Sequence, residues 1–453
     1  MTSKNSMRVP TRDHSSLAIT EQYLAFFRAR GHLEIPGSSL ILPGIDTSFV
    51  IAGMQPLTPY LRGQTPPPSP RLTDTQRCLR SDDADAVGSN ARKLSSFHML
   101  GNWSIGDYGR RRAVELALEL LLDGFGLDRN RLWVTTFAGE PSLGLAPDDE
   151  AVAEWLRAGI PAERIVPLGM DDNFWSNGGP LACGPNSEIF VDRGVARGCG
   201  RPECRPGCSC DRFLEIWNLV FIEYQRDPDG QYSHLPLRSV DTGMGLERLA
   251  CVLQDVETVF DVDLFAPAME RLGELAGNGH ASSLTDGQRV KARRLIVDHA
   301  RSALFASLAG VVPGRTGSES VVRRLIRRAA RYGRSLGIER PFLGELIEPL
   351  ARAHGELVTI QEWERLGDVA RILTDEERGF QRVLAAGMRE VDRMAPDERG
   401  LIPGETLFTL HAERGFPSDL AGELLEERGL TVDWFGYERA MAAHRAISQP
   451  RGG

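Results

Sequence analysis

The chain contains no apolar run long enough to cross a bilayer, and its first residues (MTSKNSMRVPTRDHSS) lack the hydrophobic core of a secretory signal. Both absences argue against a helical membrane protein or a secreted one and set the expectation of a cytoplasmic protein. A positive charge balance is missing as well: 53 Lys and Arg stand against 62 Asp and Glu, a net charge of −9. That excludes a general polyanion binder and confines any nucleic-acid contact to a local basic patch. No internal repeat is visible. Cysteine is sparse, and four of the seven, Cys199, Cys204, Cys208 and Cys210, crowd into one short segment. In a cytosolic chain such a cluster reads as a metal site before it reads as disulfides.

What is present is ordinary for a globular protein: 453 residues, 42% hydrophobic and 25% charged. That length suits two or three domains with ample buried cores. The chain is organised around residues 237–253, LRSVDTGMGLERLACVL. They read as a strand end with Asp241 at its mouth, a turn through Gly243 and Gly245, and a helix on which Leu246, Leu249, Val252 and Leu253 recur at helical spacing. The glycines permit positive φ or the close approach of another group to bare backbone. Arg248 falls in the first helical turn. Such a unit suits a nucleotide seat or a plain strand-to-helix turn.

Residues 17–30 put Ile19, Tyr23, Phe26 and Phe27 on one helical face before Gly31. Residues 40–54 read as strand and turn, and TPPPSP at 65–70 as a surface loop. Period two places Gln76, Cys78 and Arg80 on one face of a strand, and Phe97, Met99, Gly101 and Trp103 on one face of a second. The polar connection between them predicts an antiparallel pair. Residues 111–122 read as a helix and 132–137 as a strand. Residues 213–224 predict a central strand covered on both sides, with Ile216, Asn218, Val220 and Ile222 facing one way and Trp217, Leu219 and Phe221 the other. Asn218 is then a buried polar group that needs partners, whether for core structure or for a site. Past a polar loop at 278–288 the pattern is mostly helical, which places a domain boundary near 265.

Three constellations carry chemistry. The cysteines space as C-x4-C-x3-C-x-C with proline and glycine between them, so a folded-back loop can bring four thiolates about 2.3 Å from one ion. The alternative is reduced, unligated thiols; with all four metal positions taken by protein, the ion would be structural and not catalytic. Residues 320–338 hold Arg323, Arg324, Arg327, Arg328, Arg331 and Arg334 and no acid. Several of these share one helical stripe, which suits RNA phosphates or else a solvated face paired with acids from elsewhere. Arg80, Arg248 and Phe97 form a candidate ATP set, because guanidinium forks phosphate and planar groups sandwich a purine.

Many ordered words together resemble the alanyl-tRNA synthetases: A-G-M (52–54), Q-R-C-L-R (76–80), F-H-M-L-G-N-W-S-I-G-D-Y (97–108) and D-N-F-W (172–175). The series continues with C-G-P-N-S-E-I (183–189), L-E-I-W-N-L-V-F (214–221), V-D-T-G-M-G-L-E-R-L (240–249), D-H-A-R (298–301), V-R-R-L-I-R-R-A (322–329) and G-F-P-S-D-L (415–420). The resemblance implies an α+β fold, a class II synthetase antiparallel sheet flanked by helices, with a catalytic domain over 1–265 that carries the cysteine-rich insertion 199–210. An all-α tRNA-recognition domain over 266–453 follows. It implies that ATP and alanine give alanyl-adenylate and pyrophosphate, and that the alanyl group passes to a tRNA. By position it implies Arg80 for the α-phosphate and the alanine carboxylate, and Phe97 and Arg248 on the two faces of adenine, with Gly243 and Gly245 beside the nucleotide. Asp241 would take the alanine ammonium, and Met99, Trp175, Asn218, Val220 and Gly243 would shape the pocket. Glu188 and Glu215 would hold Mg2+, the cysteines Zn2+, and Arg323, Arg324, Arg327, Arg328 and Arg331 RNA.

The chain also departs from that family. It stops at Gly453, without the family's editing and C-terminal domains, so activation of serine or glycine is expected, because a pocket for one methyl separates alanine from either by only about 1–3 kcal/mol. The motif 2 loop is the shorter S-D-D-A-D-A-V-G (81–88). Arg315 and Ala412 stand where the family carries the asparagine and aspartate that read the acceptor-stem G:U pair. His98 and Ile51 replace a usual glutamate and asparagine. The resemblance therefore supports tRNA charging with altered identity rules, or transfer of activated alanine to another acceptor, a carrier protein or a small molecule. A non-catalytic RNA-binding protein is disfavoured by the retained Arg80, Asp241 and Arg248.

Overall fold

A computed structural model describes residues 13–45, 47–176, 182–277 and 284–448. The first residues of the chain and most of the polar loop expected at 278–288 lie outside the described residues. Among the described residues no helix is long and apolar enough to cross a membrane.

Nine strands form one sheet: β1 (Leu33–Glu34), β2 (Arg71–Leu79), β3 (Ser96–Ile105), β4 (Leu132–Phe137), β5 (Ile165–Leu168), β6 (Phe174–Trp175), β7 (Ala182–Asp192), β8 (Phe213–Arg226) and β9 (Tyr232–Gly245). Their order is β1-β2-β3-β9-β8-β7-β4-β5, with β6 paired to β7. The middle of this order is antiparallel. β1 on β2 and β4 on β5 are parallel, so the sheet is mixed rather than wholly antiparallel. Both parallel edges follow long connections, the second through the helix Asp149–Arg157, and a crossover of that length is what parallel pairing requires.

Three local expectations change. No turn occurs at Gly243 and Gly245: β9 runs on to Gly245, paired with β3 and β8, and the helix Leu246–Leu253 follows directly. Among the described residues of 40–54 no strand forms. Their backbone is held by single bonds, Val50 N–H to the Leu40 carbonyl and Leu79 N–H to the Val50 carbonyl, each 2.9 Å, instead of a ladder. In β8 the register against β7 steps from Ile189 opposite Trp217 to Phe190 opposite Glu215, so Ile216 is an extra residue. This bulge reverses the alternation there: Ile216 joins the main core, and Glu215 takes the face shared by Asn218 and Val220. β8 is central as expected, but Asn218 is only half-buried because that face opens to a cavity.

The opposite face is covered by the helix Ser16–Arg28, whose Tyr23 and Phe27 rings meet Trp217 at 5.9 and 6.4 Å between centroids. The Tyr23 hydroxyl donates to Asn102 at 2.9 Å. A helical half begins with Ala266–Ala276 and includes the long helices Asp286–Leu308, Gly317–Ser335 and Leu366–Arg393. One continuous apolar core runs from Ile19 to Tyr437 across both halves.

Polar ties are fixed by the D-H-A-R word. Asp298 accepts the Ser95 backbone N–H at 2.8 Å and its hydroxyl at 2.5 Å. Arg301, fully buried, pairs with Glu247 at 2.7 Å and also donates to the Ser96 carbonyl. Arg301→Met leaves the Glu247 charge unpaired in the interior and is expected to cost about 3–5 kcal/mol in urea unfolding. Adding Glu247→Gln should recover part of that loss.

Candidate active site

A cavity of about 510 Å³ opens on the sheet face away from Ser16–Arg28. Arg80, Phe97, Met99, Trp175, Glu188, Glu215, Asn218, Val220, Asp241, Gly243, Gly245 and Arg248 all line it. The register explains why residues so distant in sequence meet. Trp103, Asp241, Val220 and Asn186 form one row across β3, β9, β8 and β7. Gly101, Gly243, Asn218 and Glu188 form the next, and Met99 lies opposite Gly245.

The glycines act through close approach, not positive φ. A Cβ on Gly243 would stand 2.7 Å from the Met99 sulfur, and one on Gly101 would overlap the Trp103 ring. Bare backbone in this row lets both side chains lie flat on the sheet. Trp103 in turn donates its indole N–H to Asp241 at 2.6 Å. The Asp241 carboxyl is 7% exposed, and burial pushes its pKa up to about 7, against the opposing effect of the Trp103 bond. Asp74, buried on the same face, is held well above the usual carboxylate range, by burial first and by Asp241 second.

At the other end Arg248 pairs with Glu215 at 2.6 Å. Glu188 is pushed well above its ordinary value by burial and by the like charge of Glu215, which Arg248 only partly offsets. Two carboxylates under mutual repulsion fit the sparse protein ligation of Mg2+, which takes one or two carboxylates plus substrate phosphates. The Arg80 guanidinium lies over the Phe97 ring, 4.9 Å from its centroid, and its Nε donates to the Ile51 carbonyl at 3.0 Å. Asn218 accepts from the Asn186 side-chain nitrogen at 2.9 Å, while the Asn186 side-chain oxygen is buried without a partner among the described residues.

Several residues at or behind the cavity had no role assigned from the sequence. Trp103 shares the face of Phe97 and Met99, so alternation already carried its signal. Asn186 required the β7–β8 register, which no local pattern gives. Arg92 and Lys93 enter from the motif 2 connection, and Lys93 pairs with Asp83 at 3.0 Å.

Two sites lie apart. The sulfurs of Cys199, Cys204, Cys208 and Cys210 all fall within 4.8 Å of one another, with Cys199–Cys208 at 3.6 Å and Cys204–Cys210 at 3.5 Å. A zinc tetrahedron with bonds of about 2.3 Å has edges of about 3.8 Å, so the four thiols fit that ion. Arg201 donates to Cys199 and Cys208 at 3.3 and 3.1 Å and lowers the Cys199 thiol to about 6. The expected unneutralised arginine stripe is corrected. Glu376 takes Arg323 and Arg327 at 3.4 and 2.6 Å, Arg328 meets Asp85 and Glu423, and Arg331, 2% exposed, meets Glu423. The acids are remote in sequence, so a local count could not find them.

If the Asp241 carboxylate holds the substrate ammonium, KM for the amino acid should fall about tenfold per pH unit up to about pH 7 and then level. Asp241→Asn should remove that step in a pH series; a wild-type KM flat from pH 5.5 to 8 would be the contrary result. In stability the sign is opposite. The proton-linked contribution of this raised acid is complete below the ordinary 3.8 and is lost as pH rises through about 7.

The description "tRNA synthetases class II (A)" matches residues 18–452. The alanine–tRNA ligase of Acetivibrio thermocellus is 40% identical over 443 residues, covering 95% of this chain and 48% of that protein. Those of Pelotomaculum thermopropionicum and Desulforamulus reducens are 43% and 42% identical, each covering 94% of this chain and 48% of the relative. The chain thus spans about half the length of the curated relatives it matches. With the match running through the sheet, the cavity and the helical half alike, the chain belongs to the class II (A) tRNA synthetases.

Proposed function

We propose that this chain activates alanine with ATP and transfers the alanyl group to the 3′ end of a tRNA. The observation that carries this reading is the single cavity in which a carboxylate for an ammonium, two arginines and a carboxylate pair meet over a small apolar floor. Alanine binds with its ammonium on Asp241 and its methyl against Val220, Met99 and Trp175. Its carboxylate oxygen attacks the ATP α-phosphorus, the bond to the β-phosphate breaks, and pyrophosphate leaves. Arg80 moves from the Phe97 face onto the α-phosphate, where its fixed charge offsets the charge that develops on phosphorus. Adenine lies between Phe97 and Arg248. Glu188 and Glu215 would hold Mg2+, which when bound would supply charge neutralisation on the phosphates. A ribose hydroxyl then attacks the alanyl carbonyl and AMP leaves. Residues 1–265 serve activation and 266–453 serve the acceptor.

Alanine-dependent ATP–pyrophosphate exchange tests the first step. Exchange is expected with alanine, and with glycine or serine at an efficiency lower by about 10–200-fold. No exchange with any of the three would end the proposal, and a preference of many thousandfold would show that the pocket is not a simple methyl socket.

Replacement of the two acceptor-reading positions by Arg315 and Ala412, which line one cavity of the helical half, favours a second reading in which activated alanine goes to a carrier protein or a small molecule. Charging assays on total tRNA separate the two.

The cysteine loop is proposed to hold one structural Zn2+. Metal analysis of purified protein is expected to give about one zinc per chain, falling below about a tenth in Cys204→Ser/Cys210→Ser. Equal zinc in both proteins would remove the site.

A further inference from the structure

Asn186 lines the activation cavity at the end of the row Trp103, Asp241 and Val220, and is 1% exposed. Its carboxamide has a fixed direction. The Nδ2 donates to the Asn218 Oδ1 at 2.9 Å and to the Asp172 backbone carbonyl at 3.4 Å. A backbone carbonyl can only accept, so the atom that faces Asp172 has to be the nitrogen. Turning the amide over would set two acceptor oxygens against each other. The Asn186 Oδ1 stays buried and unpaired among the described residues. A carboxamide kept with its acceptor end unsatisfied is held by what its donor end does.

The Asp172 carbonyl is itself anchored by the next residue. Asn173, fully buried, donates its Nδ2 to the Thr135 hydroxyl at 2.8 Å and to the Asn186 backbone carbonyl at 2.9 Å. The following strand β6 then pairs with β7 at Pro185 and Gly184, directly before Asn186. The direction set in this way passes on to Asn218. With its Oδ1 taken by Asn186, the Asn218 Nδ2 is turned the other way and has no hydrogen-bond partner among the described residues. Asn218 lines the cavity opposite Gly243, and Val220 and Asp241 face each other one step along the same strands. The cavity therefore offers a carboxylate at Asp241 and an N–H donor at Asn218, two groups of opposite polarity.

We propose that Asn186 is a positioning residue for the amino-acid substrate. It fixes the Asn218 amide with its N–H toward the cavity, so that the zwitterion enters with its ammonium on Asp241 and the carboxylate oxygen that does not attack phosphorus on Asn218. The inference deepens the activation reading above and rests on it. An Asn218 amide turned over would present its oxygen to that carboxylate and repel it. Asp172, Asn186 and Asn218 form one chain of hydrogen bonds whose direction is dictated by a backbone carbonyl and read by the substrate.

The test is ATP–pyrophosphate exchange by the full chain, with alanine as substrate and alaninol as competitive inhibitor. Alaninol keeps the ammonium and the methyl, and its hydroxyl can donate or accept, so it is indifferent to the direction of the Asn218 amide. Asn186→Leu, close in size and without a donor, should raise KM for alanine by about tenfold or more. KM for ATP and the alaninol inhibition constant should stay within about twofold of the wild type. Asn186→Ala is read in its place, with the same expectation, if the leucine variant melts below the wild type. On an Asn218→Ala background, which removes the amide that is positioned, Asn186→Leu should add less than about twofold. An unchanged KM for alanine in the Asn186 variant would overturn the proposal. So would equal weakening of alanine and alaninol, which reports a change of pocket shape, or a full additional loss on the Asn218→Ala background. Wild-type exchange with an indifferent variant ends this inference alone, whereas a wild type that exchanges with no amino acid ends the activation reading with it.

Discussion

Glu247, 1% exposed, accepts the backbone N–H of His98 with both carboxylate oxygens at 3.1 Å and carries the Arg301 guanidinium on one of them. Its neighbours in sequence define what that contact controls. His98 lies between Phe97 and Met99 on β3, and Arg248 follows Glu247 on the helix Leu246–Leu253. One buried carboxylate thus fixes the distance between the aromatic face on β3 and the arginine facing it from the helix, and the helical half supplies the charge that keeps the carboxylate ionised. Neither half can shift without uncovering a charge in the core. The sheet, the helix and the D-H-A-R segment behave as one body for this reason, although the composition changes near residue 265.

Much of the site was legible in the sequence because its residues obey short-range rules. Alternation put Phe97, Met99 and Trp103 on one face, and the strand β8 read as central from its apolar residues on both sides. Reading failed where long-range geometry decides. The glycines of V-D-T-G-M-G look like a turn in isolation, yet β3 and β8 pair with them on both sides and hold them straight. Their function is the space they leave for Met99 and Trp103. Alternation also gave Ile216 the wrong face, since one residue of bulge cannot be seen without the partner strand.

The arginine-rich helix shows the same limit in electrostatics. Six arginines without a nearby acid look like a free cationic surface on an acidic protein. Folding brings Glu376, Glu423 and Asp85 to most of them and buries two, so the helix is as much a structural tie as a binding surface. Arg328 reaches both the Ala84 carbonyl and Asp85, which joins the motif 2 connection to the helical half.

The bulge at Ile216 sets which residues of β8 face the cavity and which face the core. Glu215 stands before the bulge, and Asn218 and Val220 stand after it; all three reach the cavity. Conservative substitutions along this strand leave that phase intact. Without Ile216, Glu215 would stand two places from Asn218 and share its face by plain alternation, so what the surplus residue adds is a second apolar side chain next to Trp217 on the core side. The bulge thus serves two layers at once, giving Ile216 and Trp217 to the core while Glu215 and Asn218 stay together on the cavity face.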